Sequence, residues 1–170
     1  MNATAQVTDT AQELTDTEEQ LQLVTFEVGE EEFAVDILAV QEIIRMMQLT
    51  RVPQSPPSVE GVINLRGQIT PVIDLRQRFG LPGQEPNSDS RIIVVEVRGR
   101  VLGFIVDRVH EVLRISHQIV DPAPKLGDHL DSDYVRGVGK LEDRLLILLD
   151  LERLFSGEEL DHAREAAEAA

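Results

Sequence analysis

The stretch that decides the fold runs from Gly61 to Phe79 as GVINLRGQITPVIDLRQRF, and a second copy of equal length runs from Gly137 to Phe155 as GVGKLEDRLLILLDLERLF. Six of the nineteen positions are identical. Each copy predicts an apolar strand, a polar turn, a second apolar strand and an Asp that starts a short helical turn. Such self-similarity indicates two structurally related units. The identical pairs are Gly61/Gly137, Val62/Val138, Leu65/Leu141, Asp74/Asp150, Leu75/Leu151 and Phe79/Phe155.

The repeat extends upstream at a slightly different spacing. Five residues between Glu27 and Arg45 match residues of the same types 69 positions later, whereas the Gly-to-Phe stretches lie 76 positions apart. The connector 115–136 is seven residues longer than its counterpart 46–60, so one duplication with one insertion explains both spacings. The five upstream pairs are Glu27/Glu96, Val28/Val97, Val40/Val109, Glu42/Glu111 and Arg45/Arg114, and the two units span about 21–85 and 86–155.

The net charge of −15 is concentrated at the two ends of the chain. Residues 1–20 carry five acids and no base, and residues 156–170 carry five acids and one Arg. We therefore expect a flexible acidic tail at 1–20 and an acidic, Ala-rich tail at 156–170, the latter helical from Ala163 but with little to pack. The folded domain is expected at 21–155.

The composition excludes several classes of partner and site. A chain of this charge repels phosphate backbones and anionic lipid surfaces, so nucleic acid and membrane surfaces are not expected partners. The absence of Cys excludes disulfides, thiolate zinc ligands and a Cys nucleophile. No apolar run is long enough to span a bilayer, and none resembles a signal peptide. We expect a cytoplasmic protein that does not insert into a membrane.

The apolar pattern predicts short strands. Val24, Phe26 and Val28 alternate with polar residues, as in a half-buried strand. Leu145 to Leu149 is an unbroken apolar run, which predicts a strand buried on both faces. Turn residues separate many such segments, and helical pattern is confined to element ends. The sequence therefore predicts a mainly β protein made of small barrels or a sandwich, and the duplication favours two barrels that share a central core.

Asp74 and Asp150 are the obvious candidates for a pair of catalytic carboxylates. Each follows a predicted strand and precedes Leu-x-x-x-Phe, a position suited to an N-cap, and Asp74 has Gln77 three residues later, as in a capping box. A cap is needed once in each repeat, whereas a catalytic dyad is needed only once. The duplication therefore favours the structural interpretation over the catalytic one.

No other pattern supports an enzyme or a metal site. The four histidines, His110, His117, His129 and His162, are widely separated in charged or loop contexts, and none has another at metal-ligand spacing. No serine lies in a nucleophile-elbow pattern, and no Gly-rich loop precedes a helix. We expect neither catalytic residues nor a metal or other cofactor.

Arg66 is the most informative polar residue. It lies in the turn Asn64-Leu65-Arg66-Gly67, whereas the duplicate turn has acids in place of this cation. A solvated hairpin tip and a docking point for a partner are both consistent with this turn. Val40, Ile69 and Val109 are apolar residues at element edges, where they either belong to the core or line a groove between the units.

The chain resembles the CheW family of chemotaxis coupling proteins. Five motifs carry the resemblance in order and cover about 21–155. The same domain ends the kinase CheA and begins CheV. Because 170 residues leave no room for a kinase or receiver domain as well, we expect a stand-alone domain of this family. The motifs are I-x-x-V-Q-E-I at 37–43, G-V-I-N-L-R-G at 61–67, P-V-I-D-L-R-x-x-F at 71–79, V-x-G-x-x-V-D at 101–107 and Y-x-x-G-V-G at 134–139.

The resemblance implies a fold and a function. The fold would be two small five-stranded SH3-like or OB-like barrels, packed around a shared inter-barrel core with short helices, with strands exchanged between the barrels. The function would be that of a non-enzymatic adaptor in a receptor–kinase array, monomeric in isolation. One surface would hold the regulatory domain of the histidine kinase CheA, and a groove between the barrels would receive the helical-hairpin tip of a chemoreceptor.

The resemblance also assigns residues to these surfaces. At matching positions, Val40, Glu42 and Gly61 are expected near the kinase contact. The residues expected at or near the receptor groove are Arg66, Ile69, Leu102 and Val109.

Three other functions remain to be separated from this one. An adaptor of the same fold could serve another chemosensory pathway, such as twitching motility or second-messenger control, and only its cognate partners would distinguish it. An OB-like nucleic-acid binder would show salt-dependent binding to oligonucleotides, which the charge disfavours. A hydrolase using Asp74 and Asp150 would lose turnover in Asp74→Asn with its fold intact.

Overall fold

The computed structural model describes residues 20–55, 59–122, 134–155 and 157–169, so the predicted tail at 1–20 lies outside it apart from Gln20. The strands are β1 (Gln20–Val28), β2 (Glu31–Asp36), β3 (Val40–Arg45), β4 (Val59–Leu65), β5 (Gln68–Asp74), β6 (Arg91–Val97), β7 (Arg100–Val106), β8 (Arg108–Ser116), β9 (Val120–Pro122), β10 (Val135–Lys140) and β11 (Leu145–Leu149). The α-helices are α1 (Leu75–Arg78), α2 (Leu151–Leu154) and α3 (Gly157–Ala169), and 3-10 turns at Ile37–Ala39 and His117–Ile119 precede β3 and β9.

The described strands form two sheets. The first sheet has six strands in the order β8-β1-β2-β11-β10-β9, and the second has five in the order β3-β6-β7-β5-β4. One pair in each sheet is parallel, β2 with β11 and β5 with β7. The predicted mainly β fold is confirmed.

The two repeats exchange strands between the sheets. By the repeat spacing, β1 to β5 correspond to β6, β7, β8, β10 and β11. The second sheet combines β3, β4 and β5 of the first repeat with β6 and β7 of the second, and the first sheet contains the converse set. Corresponding strands consequently have the same order in both sheets, as expected of a duplication. The boundary between the repeats is therefore not the boundary between the sheets.

Both sheets close on themselves. In the first, β8 continues through the turn His117–Ile119 into β9, which pairs with β10. In the second, the chain after β3 returns along β4, where Thr50 and Val62 exchange backbone hydrogen bonds of 2.9 and 2.8 Å. The first sheet has one short strand more than the five expected. Three residues of its longer connector pair as β9, where the second barrel makes a single bridge.

The largest apolar cluster lies between the barrels and contains side chains from both sheets. Phe26 and Phe33 from the first sheet and Phe104 from the second are completely buried there. Each such side chain contributes about 1.5–3 kcal/mol through burial. Smaller clusters fill the first barrel, with Leu21, Leu23, Ala34, Ile115, Leu146 and Leu148, and the second, with Ile63, Val72, Ile92 and Val94.

The strand β11 shows why its sequence is apolar throughout. Leu146 and Leu148 face the interior of the first barrel, whereas Ile147 and Leu149 face the inter-barrel core. Burial on both faces is confirmed for these four residues, while Leu145 at the start of the strand is exposed. Because successive side chains point to opposite faces, a strand between two cores has no position for a polar residue.

The C-terminal helix differs from the expectation of a tail with little to pack. Helix α3 begins at Gly157 and buries Leu160, Ala163 and Ala166 on one face. Ala163 and Ala166 pack against Val52, Val59 and Val62 on the second barrel, a cluster separate from the others. The segment is therefore a docked helix and not a free tail, because alanines at helical spacing form a narrow face that can lie against a β surface.

Candidate partner-binding site

Arg66 occupies the tip of the β4–β5 hairpin. Arg66 and Gly67 have φ values of 53° and 82°, as in a two-residue turn whose twist matches the flanking strands. The Asn64 side chain accepts a hydrogen bond of 2.9 Å from the Gly67 N–H, which fixes the turn. The Arg66 side chain is 81% exposed. The local sequence therefore holds a cation away from the sheet.

The ionic partner of Arg66 is Glu42 on β3. Arg66 Nη1 lies 3.3 Å from Glu42 Oε2, and the Glu42 side chain is 23% exposed. Strand β3 and the β4–β5 turn belong to opposite edges of the second sheet, so the pair spans the seam where the barrel closes. An ion pair this exposed contributes about 1 kcal/mol or less to stability. The pair brings the arginine to the seam, beside β3.

The first barrel contains a counterpart of this pair. Glu111, which corresponds to Glu42, accepts a hydrogen bond from Arg144 Nη2 at 2.6 Å. Arg144 lies in the β10–β11 turn at the position that corresponds to Gln68, two residues beyond the equivalent of Arg66. Both turns therefore supply an arginine to the equivalent glutamate, although from different positions.

Gly61 lies where the chain after β3 crosses β4. A Cβ atom at this position would stand 2.8 Å from the Thr50 carbonyl oxygen. At the equivalent Gly137 it would stand 2.7 Å from the Asp121 carbonyl oxygen. Because Cβ atoms do not approach backbone this closely, both barrels require glycine at the closing seam. Packing alone thus accounts for the glycine, and its assignment to the kinase contact stays a prediction.

Ile69 and Leu102 lie together on the α3 side of the second barrel. They line a cleft of about 380 Å³ between α3 and the strands β5 and β7. Ile69 is 42% exposed, whereas Leu102 is 1% exposed and belongs to the inter-barrel core. Ile69 is accessible to a partner, and Leu102 forms the floor beneath it.

Val40 and Val109 occupy corresponding positions in the two barrels. Both are partly buried and pack against the inter-barrel core. Val40 faces Val95 on the neighbouring strand, and Val109 faces Phe26. The structure therefore groups the seven assigned residues as an ion pair (Glu42 and Arg66), a cleft (Ile69 and Leu102), two edges of the inter-barrel core (Val40 and Val109) and a closing glycine (Gly61).

Three exposed apolar residues beside β3 were not singled out from the sequence. Leu38 is 91% exposed in the turn before β3, and Ile43 and Met47 are also exposed. They flank Val40 and Glu42 along the chain. Exposed large apolar residues along one edge of the sheet are candidates for contact with a partner. The sequence of β3 could have indicated that Ile43 is exposed. Alternate side chains of a strand point to opposite faces, and Ile43 shares the outer face with Gln41 and Arg45.

The bidentate pair between Arg76 and Asp107 was also missed. Arg76 donates from Nε and Nη2 to the two Asp107 carboxylate oxygens at 2.9 and 2.7 Å. Asp107 also accepts a hydrogen bond of 2.8 Å from the Gly29 N–H in the β1–β2 turn. Asp107 thereby ties α1 to the first sheet, which makes it a structural residue. Arg76 lies in the motif at 71–79 and Asp107 in the motif at 101–107. The two meet only because β5 of the first repeat pairs with β7 of the second.

Asp74 and Asp150 are helix N-caps. Asp74 accepts a hydrogen bond from the Arg76 N–H, and Asp150 accepts from Glu152 and Arg153. Burial, opposed by the Arg76 backbone hydrogen bond, raises the pKa of Asp74 above its ordinary value. The two carboxylates cap separate helices, α1 and α2, at the ends of different strands. The capping interpretation is confirmed.

Within the described residues, no group of three or more His, Cys, Asp or Glu side chains is arranged to hold a metal ion. His110 lies 3.3 Å from Glu27, while His129 lies outside the described residues. No described helix is both long and apolar enough to cross a membrane. Three exposed features are accessible to a protein partner: the β3 face, the Arg66 turn and the cleft beside α3.

Comparisons with known proteins agree with these features. The model of the CheW-like domain family matches residues 22–159. The chemotaxis protein CheW of Helicobacter pylori is 42% identical over 141 residues, covering 82% of this chain and 84% of the relative. A probable chemotaxis protein CheW of Rhizobium etli is 38% identical over 142 residues, 84% of this chain and 92% of the relative. The crystal structure of a scaffolding protein CheW from Thermoanaerobacter tengcongensis has a TM-score of 0.75 and 40% identity, covering 82% of this chain and 94% of the other.

Proposed function

The chain belongs to the CheW-like domain family and is a chemotaxis coupling adaptor between receptors and the kinase CheA, and we propose that it binds these two partners through adjoining surfaces of the second barrel. The kinase surface is the outer face of β3 with the seam beside it. The receptor surface comprises the Arg66 turn and the cleft beneath Ile69. Neither surface requires catalysis or a cofactor, and the protein acts in the cytoplasm as a monomer recruited to receptor arrays.

The kinase surface is supported by exposed apolar area on an edge strand. Leu38, Ile43 and Met47 are accessible around Val40 and Glu42. The regulatory domain of CheA is expected to be a related double barrel, so strand edges and turns would meet at this contact. A contact of standard or smaller area suits reversible assembly. Apolar side chains such as Leu38 would be its anchors.

The receptor surface is supported by a cation beside an apolar cleft. Arg66 projects from the turn that leads into β5, and Ile69 is exposed on that strand. A helical hairpin that docks in a groove needs apolar anchors and a polar rim. Ile69 and the floor at Leu102 would provide the first, and Arg66 the second. Val109 lies on the first sheet and packs against the edge of the inter-barrel core. It would contact the receptor where the groove reaches the first barrel.

The observation that carries the proposal is the Glu42–Arg66 pair, because it places one assigned residue of each surface in direct contact. The test is calorimetry in two steps. A helical-hairpin fragment of a chemoreceptor from the same cell is titrated first, and the isolated regulatory domain of CheA is titrated into the saturated complex. Formation of a ternary complex is expected. Mutual exclusion of the two partners would show that they share one surface and would contradict the proposal.

A further inference from the structure

Helix α3 lies on the surface that we assign to the receptor. It contacts β4, β5 and β7 of the second barrel. Its buried residues cover Val52, Val59 and Val62 and reach the inter-barrel core through Leu160. The match to the family model ends at residue 159, so Leu160, Ala163 and Ala166 all lie beyond the matched region. The match covers only the first three residues of the helix.

The packing of α3 is thin for a helix of 13 residues. Leu160 is its sole large apolar residue, and the rest of its buried face is alanine. Alanine side chains bury little area, and an isolated helix of this length is only marginally stable in water. Segments with few buried apolar contacts open locally at low free-energy cost while the rest of the fold stays intact. Thin packing of this kind favours local detachment of α3 while the barrel stays folded.

The helix does not fill the surface on which it lies. A cleft of about 380 Å³ remains between α3 and the barrel, bounded by Ile69 and Leu102 on one side and by Leu160 and Ala163 on the other. The Ala163 side chain is too short to reach across this space. A helix with larger apolar side chains at the same spacing would fill the cleft and bury Ile69.

Charge indicates which kind of helix the surface accepts. The sequence of α3 contains five acids and one Arg. Asp161 pairs with Arg100 at the start of β7, at the border of the cleft. Arg66 stands exposed at the neighbouring hairpin tip. Two arginines near an apolar floor favour an acidic amphipathic helix, and α3 is itself such a helix with an unusually small apolar face.

We propose that α3 occupies an acidic-helix groove on the second barrel as an intramolecular substitute, and that a receptor helix with larger apolar side chains displaces it. The identity of this partner rests on the proposed function. Since α3 must leave before the partner binds, its attachment lowers the apparent affinity of the receptor by the fraction of molecules in which the groove is covered.

The test measures amide hydrogen exchange in the full chain with and without the receptor hairpin fragment. On saturation, the α3 amides are expected to exchange at least tenfold faster, while β4 and β5 become more protected. Unchanged or increased protection of α3 in the complex would overturn the inference and leave the proposed function standing. Failure of the fragment to bind would contradict the proposed function. It would also contradict the identification of the receptor as the partner that displaces α3.

Variants of α3 test the same inference through affinity. Asp161→Ala removes the tether to Arg100, and Leu160→Ala removes the apolar anchor, so both should bind the fragment at least threefold more tightly. Glu165→Ala, an exposed position on the same helix, is the matched control and should leave the affinity unchanged. Equal or weaker binding by Asp161→Ala would overturn the inference. Because Asp161 is exposed, that variant remains informative even where Leu160→Ala disturbs the core.

Discussion

Arg66 lies 3.3 Å from Glu42 across the seam that closes the second barrel. The equivalent glutamate of the first barrel, Glu111, is held by Arg144 from the corresponding hairpin turn. This ion pair is thus a recurring part of barrel closure. In the second barrel it also joins the proposed kinase and receptor surfaces, so a partner that engages Arg66 alters the surroundings of Glu42.

The two pairs should differ in strength. A double-mutant cycle with Glu42→Gln and Arg66→Gln is expected to give a coupling free energy below about 1 kcal/mol, because the Arg66 side chain is mostly exposed. The cycle with Glu111→Gln and Arg144→Gln should give a larger value, since Arg144 is less exposed than Arg66 and its Nη2 lies only 2.6 Å from Glu111 Oε1. Urea denaturation measures both. A larger coupling at Arg66 would mean that this residue is primarily structural.

Gly61→Ala should destabilise the fold by about 1–3 kcal/mol, because the added methyl group meets backbone that cannot move without opening the seam. Gly137→Ala should behave alike, since its Cβ would meet the Asp121 carbonyl oxygen. Gly83→Ala is the control, because no heavy atom lies within 4 Å of its added methyl. Thermal denaturation compares the three variants. A stable Gly61→Ala protein that fails to bind CheA would instead make Gly61 a direct kinase contact.

Leu38→Ser tests the kinase surface. Leu38 is 91% exposed, so its replacement should leave the melting temperature unchanged. Binding to the CheA regulatory domain should weaken about tenfold, equivalent to about 1.4 kcal/mol. Leu145→Ser removes an exposed leucine at the start of β11 in the other barrel and should bind as wild type does. Equal losses in both variants would indicate a nonspecific effect of surface hydrophobicity.

Asp74 should make stability fall as pH rises. Burial raises its pKa in the folded state, so the folded protein holds the proton to a higher pH than the unfolded chain, whose ordinary value is 3.8. The contribution of Asp74 is therefore complete below the unfolded pKa and is lost as pH rises through the folded pKa. Asp74→Asn keeps the capping oxygen and should remove this fall. Asp74→Ala should also remove it, and should be about 0.5–2 kcal/mol less stable than Asp74→Asn at every pH. Urea denaturation from pH 3 to 8 measures these changes in stability. The same dependence of stability on pH in Asp74→Asn and in wild type would contradict this account.

Arg76→Lys should destabilise the protein by about 1–3 kcal/mol, although it conserves charge, because an ammonium group cannot make both hydrogen bonds to Asp107. Arg153→Lys is the matched control, since Arg153 is mostly exposed and pairs with Asp150 at 3.6 Å within its own helix. Equal stability of the two variants would show that the Arg76 bridge is unimportant.

Local pattern and repetition predicted most of the fold. The duplicated stretch placed the β4–β5 and β10–β11 hairpins and both Asp caps, because these features depend on residues close in sequence. The strand exchange could not be derived from local pattern, since β3 pairs with β6 of the other repeat only in the assembled sheet. The packing of α3 was missed because alanine carries little hydrophobic signal.

The candidate site was less predictable for the same reason. The cation at Arg66 was visible in the turn sequence, but its partner Glu42 lies 24 positions away across the seam. The equivalent Arg144 was hidden by its shift of two positions relative to Arg66. Leu102 could not be identified as the floor of a cleft, because its burial depends on both the inter-barrel core and α3.

The most direct test of the two-surface adaptor is calorimetric titration of wild type and Arg66→Glu into the CheA regulatory domain and into the receptor hairpin fragment. Arg98→Glu is the control, because Arg98 occupies a similar turn with φ of 52°. For Arg66→Glu alone, the account predicts at least tenfold weaker binding to the receptor fragment. Binding to CheA should weaken by no more than about fivefold, because the exposed pair with Glu42 contributes about 1 kcal/mol or less. Loss of CheA binding with receptor binding intact would place Arg66 on the kinase surface, and absence of wild-type binding to CheA would contradict the coupling role.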